Sequence, residues 1–181
     1  ETDPCLTGMK QRRLKTLLAN DISLLAYHLP LDVHPEVGNN VQLARQLDIT
    51  VEGPLEPDNT RTVGLLGSLA QPLSARDFAR RVHDVLGREP LLVEEDRLVS
   101  RIGWCTGGGQ GYIDQAIAAG VDLYLTGEAS EQTYHSAREN GVSFIAAGHH
   151  ATERYGVQAL GEYLSRRFAI EHLFIDCPNP I

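Results

Sequence analysis

Residues 98–147 read LVSRIGWCTGGGQGYIDQAIAAGVDLYLTGEASEQTYHSARENGVSFIAA, and this stretch decides the fold. It holds three short apolar runs with the length and composition of buried strands. They cover residues 98–104, 121–126 and 142–147. Helices are predicted between them, after the glycine-rich turn at residues 107–111 and over residues 130–140. Strands that alternate with helices are typical of an α/β fold, in which helices cover the faces of a parallel or mixed sheet.

The pattern continues on both sides of this stretch. The spacing Ser74-x-x-Asp77 predicts the start of an amphipathic helix that ends at Leu86, before Gly87. Residues 52–61, rich in Pro, Glu, Asp and Asn, are predicted to form a surface loop. Further strands are predicted over residues 22–27, 63–69, 91–93 and 170–175. Further helices are predicted over residues 10–19 and 151–168, and from the capping residues Asn39 and Asn40 to Leu47.

Composition excludes several classes of protein. The chain of 181 residues carries 24 acidic and 16 basic residues, a net charge of −8, which repels phosphate and makes duplex nucleic acid an unexpected partner. No apolar run reaches the roughly 20 residues of a membrane-spanning helix. Cys5, Cys105 and Cys177 are scattered and odd in number. This favours a reducing, cytoplasmic location over a disulfide framework.

Histidines and carboxylates follow the ends of the predicted strands. His28 and Asp32 follow residues 22–27, Glu128 follows residues 121–126, and His149 and Glu153 follow residues 142–147. In open α/β sheets ligands bind beyond the carboxyl ends of the strands, because loops and helix N-termini converge there. A ligand site is therefore predicted at this edge.

The spacing within these groups predicts a metal. His149 and Glu153 lie four residues apart at a predicted helix start, so both can reach one ion, although an ordinary helix N-terminus that favours Glu153 is the alternative. His28 and Asp32 repeat the spacing in a loop that two prolines keep stiff and irregular. Mixed imidazole and carboxylate ligands suit Zn, Fe, Mn or Ni. The neighbouring His34 and His150 are candidates for orienting these ligands.

Two other kinds of site have less support. Residues 107–111 follow a predicted strand and precede a helix, as a phosphate cradle would, but they match neither G-x-G-x-x-G nor the P-loop pattern. A tight turn is the expected structure, with anion binding as the alternative. The chain contains no G-x-S-x-G nucleophile elbow, so serine hydrolase chemistry has no support.

Three motifs together resemble one family. They are residues 26–32 (AYHLPLD), residues 126–128 (TGE) and residues 148–154 (GHHATER), and the likeness extends to the final PNP at residues 178–180. The chain is similar in this order and spacing to the Nif-three-like family, whose members are often named GTP cyclohydrolase I type 2 homologues. The resemblance implies an α/β protein with a dinuclear metal site that assembles into a ring-shaped homohexamer.

The resemblance also implies roles for individual residues. Asp32 looks like a ligand to one metal, His149 like a ligand to the other, and Glu153 like a carboxylate that bridges both. His28 matches a histidine near the metals that is not a principal ligand, and Glu128 lines the same cleft. Members of the family carry a further His-His pair upstream of the basic helix, which this chain lacks. Because the chain also does not begin with Met, we expect that an N-terminal segment is missing.

These observations lead to two hypotheses about function. The first is a hydrolase dependent on two divalent transition-metal ions that acts on a small nucleotide- or purine-like molecule, with His28 or Glu128 moving the proton. The alternative is a non-catalytic protein that binds or delivers metal or acts as a regulatory partner. Residues 1–61 are expected to be the remainder of an N-terminal metal-binding half. Residues 62–181 are expected to be the C-terminal α/β half, both packed as one compact unit.

Overall fold

One mixed sheet forms the centre of the computed structural model, which describes residues 5–94 and 96–181. Its strands are β1 (Ile49–Pro54), β2 (Leu65–Ser74), β3 (Leu91–Val93), β4 (Leu98–Cys105), β5 (Leu123–Thr126) and β6 (Ser143–Ala146). Their spatial order is β1-β2-β4-β5-β6-β3. The central strands β4, β5 and β6 are parallel, whereas β1, β2 and β3 pair antiparallel. The predicted α/β fold with a mixed sheet is confirmed.

The described part of the chain also forms seven α-helices, several of which cover the two faces of this sheet. They are α1 (Gly8–Ala19), α2 (Leu29–Asp32), α3 (Asn39–Gln46), α4 (Ala75–Leu86), α5 (Ile113–Ala118), α6 (Glu131–Asn140) and α7 (His149–Phe168). Alternate residues of a strand point to opposite faces. Leu123, Leu125 and Ile145 accordingly share one core cluster with residues of α3, α4 and α7. Tyr124 and Phe144 share the other with residues of α5 and α6.

The ends of α4 show how local sequence sets element boundaries. The Ser74 side chain accepts a hydrogen bond from the Asp77 backbone N–H at 3.0 Å, as predicted from their spacing. Gly87 ends the helix in the left-handed conformation, with φ of 72°. The buried residues Phe78 and Val82 lie on the face turned to the sheet. The predicted limits of this helix are confirmed.

The strand predicted over residues 22–27 does not form. The segment has no regular secondary structure, and its side chains are exposed, including Ile22, Leu24, Leu25 and Tyr27. An apolar run becomes a strand only if its backbone pairs with another strand. In the described part of the chain, β1 and β3 are the edge strands of the sheet, and residues 22–27 pair with neither. This prediction was therefore wrong.

The strand predicted over residues 170–175 is also absent. Ala169, with φ of 53°, turns the chain at the end of α7. The Ser165 hydroxyl then donates to the Ile170 carbonyl at 2.7 Å. Residues 170–181 run back beside the helix without regular secondary structure. The preceding strand, β6, is paired on both sides, with β5 and β3, and residues 170–175 pair with no strand of the sheet.

Two predictions beside the metal-ligand candidates need correction. Residues 28–35 are not wholly irregular, since α2 forms there with Pro30 in its first turn, where a missing N–H is tolerated. Asn39 and Asn40 do not cap α3; Gly38 is its N-cap residue, and both asparagines are inside the helix and buried. Their amides instead make tertiary hydrogen bonds.

The loop predicted over residues 52–61 begins later than expected. Its first residues belong to β1, which continues through Glu52 and Gly53. β1 is an edge strand, and its register with β2 shifts between Val51 and Gly53. An edge position tolerates residues such as Gly and Pro that weaken a central strand.

The division of the chain at residue 61 stays a prediction, as does the packing of the two parts as one unit.

No helix in residues 5–94 and 96–181 is both long and apolar enough to cross a membrane.

Candidate functional site

Three loops meet at the carboxyl ends of β4, β5 and β6. Gly107, after β4, has a carbonyl that accepts from the Gly127 N–H at 2.9 Å and from the Thr126 hydroxyl at 3.1 Å. Gly148, after β6, donates from its N–H to the Gly127 carbonyl at 2.8 Å. The Thr152 hydroxyl in α7 accepts from the Gly107 N–H at 3.0 Å. The start of α7 is thus fixed to the loops after all three parallel strands.

His149 lies between two carboxylates at this junction. Its Nδ1 is 2.6 Å from Glu128 Oε1, and its Nε2 is 3.1 Å from Glu153 Oε2. The hydrogen bond with Glu128 raises the pKa of His149; burial opposes this shift, and the negative charge of Glu153 adds to it. The imidazole is therefore held in one orientation with its charged form favoured.

Glu153 projects from the next turn of α7 into space left by a glycine. Burial raises its pKa, His149 counteracts this, and the charge of Asp32 raises the pKa further. A Cβ atom on Gly107 would overlap Glu153 Oε1 and lie 2.9 Å from His149 Nε2. The absence of a side chain at Gly107 thus gives the His149–Glu153 pair its place.

Asp32 approaches the same region from α2. It is buried, and its Oδ1 accepts a hydrogen bond from Asn39 Nδ2 at 2.7 Å. The Asp32 carbonyl accepts a second hydrogen bond, from Asn40 Nδ2 at 3.2 Å. The sequence pattern predicts helix caps at both asparagines and does not reveal this contact. The one sequence signal that could indicate this contact is a pair of adjacent amide side chains at the start of a helix that packs into a core.

One cavity of about 300 Å³ brings four of the five predicted site residues together. Its lining includes His28, Asp32, His149 and Glu153, and also Cys105. Burial raises the pKa of the Cys105 thiol to about 12, so it stays protonated at neutral pH. The fifth predicted residue, Glu128, reaches the site through its contact with His149.

The two candidate orienting histidines face other partners. His34 accepts hydrogen bonds on Nδ1 from the N–H groups of Glu36 and Val37, each at 3.2 Å, and so serves its own turn. His150 Nε2 lies 3.2 Å from Asp176 Oδ1 in the C-terminal segment. Neither residue lines the cavity of about 300 Å³.

The chemistry of these donors fits a transition metal, although no complete site is preformed. Within residues 5–94 and 96–181, no three His, Cys, Asp or Glu side chains are close enough to hold an ion together. However, a histidine that binds metal usually donates its other ring N–H to a carboxylate, as the contact between His149 and Glu128 allows. Asp32 and Glu153 face one cavity with the oxygen ligands that Zn, Fe or Mn accept.

Fold and site together define an α/β protein with a histidine–carboxylate cluster at the ends of three parallel strands. The model of the Duf34/NIF3 (NGG1p interacting factor 3) family matches residues 3–180, and the chain belongs to this family.

Relatives of this chain carry one recurring description. A Pseudomonas aeruginosa protein described as "GTP cyclohydrolase 1 type 2 homolog" is 79% identical over 178 residues, which are 98% of this chain and 71% of the relative. An Escherichia coli protein of the same description is 52% identical over 179 residues, 98% of this chain and 70% of the relative.

Solved structures agree with this fold. The structure of protein ybgI, described as of unknown function, superposes with a TM-score of 0.93 at 52% identity, over 99% of this chain and 72% of that one. The structure of a Thermus thermophilus protein superposes with a TM-score of 0.84 at 31% identity, over 99% of this chain and 71% of that one. The chain therefore shares its fold with these proteins over most of their length.

Replacing Glu128 by Gln should lower the pKa of His149, because the carboxylate contact is the main cause of its raised value. A raised pKa stabilises the fold below the unfolded value of about 6.5, and this stabilisation is lost as pH rises through the folded pKa. NMR titration of the imidazole in metal-free protein measures the change. Glu131→Gln makes the same change of charge at an exposed position in α6, and it should leave the titration of His149 unaltered. An unaltered His149 pKa in Glu128→Gln would contradict the proposed contact.

Replacing Gly107 by Ala should destabilise the fold by more than about 1 kcal/mol. The residue has φ of 67°, and a Cβ there would displace Glu153 and His149. Gly111→Ala is the matched control, because a Cβ at Gly111 meets no atom within 4 Å. It should stay within about 0.5 kcal/mol of the unmodified protein. Urea unfolding of both variants measures the difference, and equal stabilities would show that this close approach is not required.

Proposed function

We propose that the protein is a hydrolase dependent on two divalent transition-metal ions, acting on a small nucleotide- or purine-like molecule. The observation that carries the proposal is His149, held between Glu128 and Glu153 beside a cavity that Asp32 also lines. Asp32 would hold one ion, His149 the other, and Glu153 both. When bound, Zn, Fe, Mn or Ni ions supply Lewis-acid activation of water and of the bond that is attacked.

The other residues around the cavity have separate roles in this proposal. Glu128 contacts His149 Nδ1, which supports a role in orienting the imidazole and leaves His149 Nε2 directed toward Glu153. His28 lines the cavity and is available to accept or donate a proton there. We therefore assign proton transfer to His28 first, with Glu128 as the alternative.

A second cavity next to the site offers space for the substrate. It has a volume of about 630 Å³ and shares His149 and Glu153 with the first cavity. Its walls include Val157 of α7 and the apolar Phe174 and Ile175 of the C-terminal segment. Ligand sites of this size commonly combine apolar walls with a few polar groups. This arrangement supports a small substrate with an apolar or aromatic part, such as a purine ring.

Assembly and location belong to the same proposal. A ring-shaped homohexamer needs surfaces for subunit contact, and α1 offers one, since none of its residues is buried. Leu18, with 80% of its surface exposed, and the nearby Leu24 and Leu25 add apolar area there. We propose that such a ring, in the cytoplasm, is the working form of the protein.

A second candidate function is metal delivery. The side chains of His149 and Glu128 remain 41% and 37% exposed, so an ion held there would be open to exchange. With Asp32, His149 and Glu153 as its protein ligands, each of the two ions would have few of them. An open, incomplete ligand set favours a carrier as much as a catalyst.

Full-length protein should contain about two transition-metal ions per chain by plasma mass spectrometry, as expected for a dinuclear site. Glu153→Ala should lose most of this metal with the fold intact, together with any hydrolysis detected in a screen of nucleotides and phosphoesters. Glu162→Ala, the same change at an exposed position on α7, is the control and should keep both. Metal-loaded protein that hydrolyses nothing in the screen would overturn the hydrolase proposal, and metal-free protein would overturn the metal site.

The carrier alternative predicts a different property. Loaded protein should pass its metal to an apo acceptor protein faster than a chelator removes it, because transfer occurs through a direct contact. Equal rates to the acceptor and the chelator would exclude delivery. Hydrolysis without preferential transfer would support the enzyme.

A further inference from the structure

Asn39 connects two parts of the candidate metal site. It lies in the first turn of α3, with 5% of its surface exposed, beside the Asp32 carboxylate. Its Nδ2 donates to Asp32 Oδ1 at 2.7 Å, and its Oδ1 accepts from the Gly156 N–H of α7 at 2.9 Å. One amide thus bonds to Asp32 and to the helix that carries His149 and Glu153.

The chemistry of the two partners fixes the orientation of this amide. The Gly156 backbone N–H can only donate, and an ionised Asp32 can only accept. Rotating the Asn39 amide by half a turn would therefore oppose two donors at one end and two acceptors at the other. Both bonds are satisfied only in the arrangement observed.

Close packing against α7 also fixes the position of the Asn39 side chain. A Cβ on Gly156 would overlap Asn39 Oδ1 and lie 3.0 Å from the Asn39 backbone nitrogen. Gly156 follows Glu153 by three residues and His149 by seven, a spacing that places all three on one side of the helix. The position of the Asn39 amide is therefore set by the same helix face that presents the ligand candidates.

Asn40, the next residue, has a different set of partners. Its Nδ2 donates to the carbonyls of Asp32 and Val63, and its Oδ1 accepts from the Thr106 N–H at 2.9 Å. Its carbonyl accepts from Trp104 Nε1 at 3.0 Å. Asn40 therefore holds backbone segments together, whereas Asn39 contacts the Asp32 carboxylate itself.

We infer that Asn39 is a positioning residue for the metal site, which sets the Asp32 carboxylate at a fixed distance from His149 and Glu153. The inference rests on the proposed metal site. By donating to Oδ1, Asn39 leaves Oδ2 and the remaining lone pairs of Asp32 for an ion. Partners of this kind commonly change metal affinity about 10–100-fold when they are removed.

Cobalt titration of the full-length protein tests this role, with Co²⁺ as the probe and its visible absorption as the readout. Asn39→Ala should weaken Co²⁺ binding about 10–100-fold and change the absorption spectrum, because the carboxylate is free to rotate. Gln42→Ala is the matched control, because Gln42 lies in the same helix but donates to the Glu36 carbonyl and not to Asp32. It should keep the Co²⁺ affinity and spectrum. Asn39→Ser, which is smaller than Asn and carries a hydroxyl in place of the amide, serves if the alanine variant does not fold, and should also weaken binding.

A double-mutant cycle then separates positioning from general support of α7. If Asn39 acts through Asp32, Asn39→Ala should have no further effect on the residual Co²⁺ affinity in an Asp32→Ala background. An equal loss in both backgrounds would overturn the inference and show that Asn39 only supports the helix. Full Co²⁺ affinity in folded Asn39→Ala would overturn it too, while leaving the metal site in place. Unmodified protein that binds no Co²⁺ would overturn the metal site and the inference with it.

Discussion

The chain of hydrogen bonds through Gly107, Gly127 and Gly148 is the constraint on which the site depends. It joins the loops after β4, β5 and β6, with N···O distances of 2.9 and 2.8 Å. A Cβ on Gly127 would lie 2.6 Å from the Gly107 carbonyl oxygen, so the loops approach this closely only without a side chain there. Parallel pairing brings the strand ends to one edge, and the glycines let α7 begin directly above them. His149 and Glu153 owe their position to this junction.

Much of the fold could be predicted because local patterns and tertiary packing agree there. The runs that became β5 and β6 are buried along their whole length, and glycines or a serine cap mark the ends of α4 and α6. The failures at residues 22–27 and 170–175 have a common cause. Apolar composition indicates that burial would be favourable, but it does not show whether another strand will pair with the segment, and in the described chain none does. A single run of residues carries no information about that pairing.

The candidate site, like the fold, could be predicted only in part. His28, Asp32, Glu128, His149 and Glu153 could be found from residue type, spacing and family resemblance, and the structure brings them to one region. The contacts that hold them in place could not be predicted. The contact between Glu128 and His149 joins residues 21 positions apart, and that between Asn39 and Gly156 joins residues 117 positions apart. The first contact follows from how the loop after β5 meets the start of α7, and the second from how α3 packs against α7; no local pattern encodes either.

The charges of the site favour the proposed binding of a cation. Burial raises the pKa of Glu153, so its ionised form is disfavoured in the fold, and this cost grows as pH rises through the folded pKa. The raised pKa of His149 acts in the same direction, because the stabilisation that its charged form provides is lost as pH rises through its folded pKa. A bound cation would offset both losses by replacing the proton between the two side chains. Because Asp32 and Glu153 converge only in the folded chain, the ion would bind the native state selectively and stabilise it by mass action. The same residues that make the metal-free site costly at neutral and alkaline pH would then stabilise the loaded protein.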